Sequence, residues 1–225
     1  MPSLGSLGYR FTFLINLDHD IVSHPMNPFP ASTKGADVYV RISREVSGLG
    51  LVHAPSRPQV ALVNELKALG VEELFGGQVV DRERAMAARA GLFLAIDAWD
   101  EAHAVAQDLD IPEGSYWHGV VHRREPDASN AKYWFRRLGH HPVFDRLGSP
   151  QTHQALPSVA AFDDIVTAGY WDPFRFVDWC TRCEEGKRPE LRSELQELQQ
   201  REMLLLLTYC VRQALGKPGQ AIHNQ

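Results

Sequence analysis

The sequence is poor in cysteine, with three in 225 residues. A sparse, odd set does not build a disulfide framework, so the chain is expected in a reducing compartment, the cytoplasm. Cys180 and Cys183 form a lone Cys-x-x-Cys with no second pair, which excludes a zinc ribbon. They and Cys210 read as ordinary buried thiols of helices. Long apolar runs are also missing. Stretches such as Met203–Leu207 fall far short of the roughly 20 residues a membrane span needs. Met1–Arg10 lacks the charged start and apolar stretch of a secretory signal. Positive charge is in deficit, with 23 Lys+Arg against 28 Asp+Glu and a net charge of -5. Wholesale phosphate neutralisation needs the opposite balance, which argues against nucleic acid as the partner. No repeat at solenoid spacing and no low-complexity segment is found.

What is present is an ordinary globular composition, 44% hydrophobic and 23% charged, with a surplus of histidine, ten in all. Residues 1–58 form an irregular arm punctuated by Pro and Gly. Within it, Phe11, Phe13, Ile15 and Leu17, and then Val38, Val40 and Ile42, alternate with period two and predict short strands. Residues 59–218 read as helical. Ser56 and Pro58 start a helix carrying Val60, Val63, Leu66 and Leu69, ended by Gly70. Asp81 caps a long helix to Leu109, with Leu92, Ile96, Trp99 and His103 on one stripe. Pro112 and Gly114 form a turn, and Ser115 caps a helix to Arg124. Asp127 or Ser129 caps the next, to Gly139. Residues 145–158 read as a loop, 158–168 as a helix, and Asp172-Pro173 as a further helix start. A Leu-rich helix closes the chain over 189–215. The expected fold is mainly α, a helical-bundle-like single domain with a small irregular or β N-terminal arm. The Met203–Leu207 run belongs either in the centre of the bundle or in a homodimer contact.

One segment differs from the rest: SYWHGVVHRREPDASNAKYWFRRLGHHPVF, Ser115 to Phe144. It gathers His118, His122, His140 and His141 with paired arginines and interleaved aromatics. This run, with the preceding DAWDEAHAVAQDL, resembles an uncharacterised family of bacterial and fungal proteins sharing the signature YWHGxxHRREPDxSNAKYWFRRxGxHP. The resemblance covers roughly Asp81 to Phe144 and implies no activity or fold of its own.

The spacing carries more. His118 and His122 stand at i and i+4 on one helical face, and Glu125 at i+7 extends it. Across the turn, His103 and His118 lie eight and seven positions from its centre at residue 111, so antiparallel helices bring them to the same depth. Three imidazoles, His103, His118 and His122, make a workable site for a divalent transition metal, Zn or Fe, with a position left for water. Asp100, Glu125 or His122 would then move protons. The alternative is a set of hydrogen-bonded core histidines beside the tryptophans. Arg123, Arg124, Asn130, Lys132, Tyr133, Arg136 and Arg137 are candidates to hold a small anionic ligand, since guanidinium pairs bidentately with carboxylate and phosphate. Internal ion pairs competing for the same arginines are the other outcome. The sequence thus predicts an enzyme acting on a carboxylate or phosphate substrate, a metal-assisted hydrolase or lyase. A non-catalytic binding or interaction module that uses the same Arg-aromatic hairpin is the alternative.

Overall fold

A computed structural model describes residues 27–45, 49–53, 59–150, 152 and 161–216. The strand expected over 11–17 and the helix start at Ser56 and Pro58 lie outside them. Among the described residues there are eleven α-helices and one two-stranded hairpin, so the protein is mainly α. No described helix is long and apolar enough to cross a membrane.

The stretch expected as a strand at Val38–Ile42 is helix α1, Lys34–Glu45. Val38 and Ile42 are two apart from Val40 but also four apart from each other. The helical period wins because it puts Val38, Tyr39 and Ile42 together in the core. Helix α2, Val60–Ala68, buries Leu62, Val63 and Leu66, and α3, Val71–Leu74, follows it.

The single helix expected from Asp81 to Leu109 is two. Helix α4 spans Arg82–Ala95, capped by Asp81, whose side chain accepts from the Arg84 backbone N–H. Helix α5 spans Trp99–Gln107. Between them Asp97 adopts a left-handed backbone at φ 58°. That conformation turns its carboxylate onto the fully buried guanidinium of Arg124, 2.7 Å away, and onto His53 Nδ1 at 3.1 Å. A buried cation without a partner is costly. The tertiary ion pair therefore overrides a helical pattern that runs on through the break.

Helix α6, Pro112–Arg124, starts at its proline, with Gly114 and Ser115 inside it rather than in a preceding turn. Proline suits the first helical position because its missing N–H has no partner there. Helix α7, Ala128–Leu138, begins where expected: Asp127 accepts from the Asn130 backbone N–H at 3.0 Å. Helix α8, Pro142–Leu147, occupies the start of the expected loop, with His141 as its N-cap. Residues 162–171 give only a short α9, Phe162–Ile165, before the hairpin of β1, Val166–Thr167, and β2, Tyr170–Trp171. Helix α10, Pro173–Glu184, is capped by Asp172 as the sequence predicts, and α11, Arg192–Ala214, closes the chain.

Helix α11 packs along α4 and against α10, and α6 lies between α5 and α7. Leu195, Leu198, Leu206, Cys210, Val211 and Ala214 are fully enclosed, and Met203, Leu205 and Leu207 nearly so. The Met203–Leu207 run is thus buried within the bundle except for Leu204, which is half-buried. Gly91 fixes the approach of α4 to α6: a Cβ there would stand 2.6 Å from Trp117 Cζ2, closer than any real contact. A charged pair also lies in this interior. Arg123 pairs with Glu202 at 2.5 Å, and Gln199 donates to the Gly50 and Leu51 carbonyls at 3.1 and 3.2 Å. The 49–53 segment is thereby tied to α11, and His53 N–H bonds the Arg124 carbonyl at 2.7 Å.

Candidate metal centre

The first turns of α5 and the middle of α6 face each other, and their histidines meet. His103 Nε2 lies 3.0 Å from His118 Nε2. The His118 and His122 rings, one helical turn apart, are stacked at 4.8 Å between centroids. His103 meets His122 edge-on at 5.3 Å. One ring nitrogen from each of the three lies within 4.8 Å of the others. His118 and His122 are only 4% and 6% exposed, while His103 is half-buried at the mouth. The cluster is clamped by two tryptophans. Trp99, one turn before His103 on α5, stacks on it at 5.1 Å, and Trp134 of α7 stacks on His118 at 3.9 Å. The Trp99 indole is itself anchored by donating to the Val121 carbonyl at 3.2 Å.

Burial disfavours the charged form of two of these rings. Burial, then repulsion from His103 and His122, pushes His118 down to about 3. Burial and His122 lower His103, against the weaker pull of Glu125 and Asp100. Neutral imidazole is the form that offers a lone pair. His122 Nδ1 lies 2.9 Å from Glu125 Oε2, and Asn130 Nδ2 lies 3.0 Å from His122 Nε2. A carboxylate only accepts, so Nδ1 carries a proton and Nε2 is the nitrogen left to face an ion. That carboxylate–imidazole relay is the arrangement that orients metal-binding histidines. His118 Nδ1 is buried without a hydrogen-bond partner.

For tetrahedral Zn–N bonds of about 2.0–2.1 Å, donor nitrogens stand roughly 3.3 Å apart. The separations here, from 3.0 Å up to 4.8 Å, are within small side-chain rotations of that spacing. His122, Glu125 and Asp127 form a second, more exposed grouping with the same reach.

The other residues singled out by sequence are placed as follows. Glu125, at the C-terminal end of α6, is exposed and touches the cluster through His122. Asp100 is exposed in the first turn of α5 and acts on His103 only through its charge. Arg123 and Arg124 point away, Arg123 into a buried pair with Glu202 and Arg124 into a pair with the half-buried Asp97. Lys132 turns to Asp178 of α10 at 2.5 Å. Arg137 lies beside Trp134, 5.4 Å from its ring, and pairs with the exposed Asp110 at 2.7 Å. Tyr133, 52% exposed, and Arg136 lie on the outer side of α7. His140 pairs with Asp145 and His141 is a buried cap, so neither joins the cluster. The Asp97 break, which sets where α5 begins, and the two-sided tryptophan clamp are not apparent in the sequence. The i, i+4 spacing of Trp99 and His103 was the available signal for half of that clamp.

No protein-family model, curated protein or solved structure matches the chain.

Proposed function

We propose that the protein binds a divalent transition metal at His103, His118 and His122 and is a metal-dependent hydrolase or lyase acting on a small anionic substrate. The observation that carries this is the convergence of three imidazoles from two helices, one of them oriented by a carboxylate. Such a set supplies neutral nitrogen ligands, as Zn and Fe accept, and a bound ion would polarise a substrate oxygen or lower the pKa of a bound water. Glu125, hydrogen-bonded to His122 Nδ1 and open to solvent, would be the carboxylate that takes up a proton from that water. Arg137 reaches the cluster's surroundings through Trp134, which stacks on His118. Its ion pair is with a side chain 91% exposed, and such pairs contribute only ~0–1 kcal/mol, so an anionic substrate can displace it. Arg123 and Arg124 are left out of this role because both guanidiniums are buried in ion pairs with Glu202 and Asp97.

The test is elemental analysis and metal titration of full-length, tag-free protein, followed by turnover of phosphate and carboxylate esters. About one equivalent of metal, lost in His118→Ala, and turnover lost in Glu125→Gln are expected. Absence of stoichiometric uptake from any of Zn, Fe, Mn or Co would sink the metal. Uptake without turnover of any ester or lyase substrate would favour the binding-module reading, to which the exposed Tyr133 and Arg136 on α7 lend support.

A further inference from the structure

The aromatic contact that begins at His118 does not stop at its clamp. Trp134 lies on His118 at 3.9 Å between centroids, with the two planes 16° apart. The same indole meets the Tyr133 ring edge to face at 5.4 Å. Three rings thus run in direct contact from an imidazole only 4% exposed to a phenol 52% exposed. Packing accounts for the half-buried Trp134 but not for Tyr133, whose ring stands largely in water. The charges along this row give it a direction. The Arg137 guanidinium lies 5.4 Å from the Trp134 ring. An indole that loses an electron becomes a cation, and a positive neighbour opposes that. A phenol gives up its proton together with the electron and stays neutral, provided that water is there to take the proton. Tyr133 has that access. An electron vacancy on Trp134 is therefore passed outward to Tyr133.

We infer that Trp134 and Tyr133 conduct single electrons between an iron ion held by His103, His118 and His122 and the protein surface. This rests on the metal reading above and commits the ion to iron, since zinc has no second oxidation state to offer. Hydrogen peroxide at the ion takes up two electrons and two solvent protons, its O–O bond breaks, and two waters form. One electron comes from Fe(II), which becomes Fe(III). The other comes from Tyr133 through Trp134, and the phenol releases its proton to solvent, leaving a neutral tyrosyl radical. A phenol or thiol in solution then returns a hydrogen atom to Tyr133. A second donor molecule returns Fe(III) to Fe(II) and releases its own proton. The activity added is peroxide reduction at the expense of a one-electron donor that meets the protein at Tyr133 and never reaches the buried ion.

The experiment uses full-length, tag-free protein loaded anaerobically with Fe(II), its iron content measured, then mixed with hydrogen peroxide and freeze-quenched for electron paramagnetic resonance. The wild type is expected to show a neutral tyrosyl radical together with Fe(III). Tyr133→Phe should bind iron as the wild type does and still form Fe(III), with the tyrosyl signal lost. Trp134→Phe should lose the signal too, although Tyr133 remains. Tyr170→Phe, which alters the partly exposed tyrosine of β2, should leave it unchanged. A tyrosyl radical of wild-type intensity in Tyr133→Phe would overturn the inference, as would iron oxidised by peroxide with no protein radical. Should Trp134→Phe fail to take up iron, the comparison of Tyr133→Phe with Tyr170→Phe decides alone. A wild type that binds no iron removes the three-histidine iron centre itself and the path with it, whereas iron bound without the radical removes the path alone.

Discussion

Glu202→Gln is expected to be among the most damaging conservative changes in the molecule. The Glu202 carboxylate is completely enclosed and the Arg123 side chain is 1% exposed, with 2.5 Å between them. Burial works against the Arg123 charge, and the carboxylate beside it more than offsets this, so the guanidinium is held above its ordinary value. Glutamine fills the same space and can still accept from the Tyr116 hydroxyl, which now donates to Glu202 Oε1 at 3.1 Å. What is lost is the counter-charge and, with the amide oxygen on Tyr116, the acceptor that faces Arg123. Arg123 would keep its stacking over Phe176 at 4.3 Å and a long bond to Gln199 at 3.4 Å, neither of which neutralises a buried cation. Breaking a buried pair from one side costs about 3–5 kcal/mol, whereas exposed pairs rarely reach ~1 kcal/mol. Urea unfolding at pH 7 of the wild type, Glu202→Gln, Arg123→Met and the double variant measures both terms. The double variant should be markedly more stable than the two single losses added together, with a coupling of about 2 kcal/mol or more. A Glu202→Gln loss under about 1 kcal/mol, or strict additivity, would refute the buried pairing. It would also return Arg123 to the ligand-binding role that its sequence context suggests.

Two further outcomes follow from the same interior. His141 is 2% exposed, and burial, with His140 and Arg84 adding to it, pushes it down to about 3. The native state therefore holds it neutral while the unfolded chain gains a proton below about 6.5. Its stabilisation is complete above that pH and drains away as pH falls toward 3. From pH 7 to 5 it accounts for about 2 kcal/mol of lost stability. Asn at this position keeps an acceptor for the Val143 N–H and cannot titrate, so urea melts of His141→Asn should lose correspondingly less over that range; parallel pH slopes would count against a neutral buried ring. Gly91→Ala should destabilise by about 1–3 kcal/mol through overpacking, because the new methyl would lie 2.6 Å from Trp117 and 3.3 Å from Leu207. An unchanged thermal midpoint would mean that α4 and α6 can part at no expense.

The place of the cluster was legible because it depends on local rules. His118 and His122 share a face by spacing, and equal distance from the turn sets His103 opposite His118, even though that turn proved shorter and α6 began earlier. Capping chemistry placed Asp81, Asp127 and Asp172 for the same reason: each cap reads only the next three residues. Illegible were the features decided by remote partners. Nothing near Arg123 announces Glu202, and the helical stripe through Ile96 gives no hint that Asp97 leaves the helix to meet Arg124. The strand pattern at Val38–Ile42 failed because a run with apolar residues two apart also contains residues four apart, and only the core can choose between them.

The break at Asp97 leaves α5 just nine residues long, below the length at which a helix is stable by itself. It carries His103, while the other two imidazoles belong to the longer α6. Any ion gripping all three rings would therefore act as a fastener between a marginal segment and a firm one. Occupancy and the folding of α5 then become a single linked equilibrium: at one hundred times the dissociation constant, bound ion would add about 2.7 kcal/mol to the docked state. Amide exchange would register this as slowed opening of residues 99–107, with α4 and α11 left at their own pace.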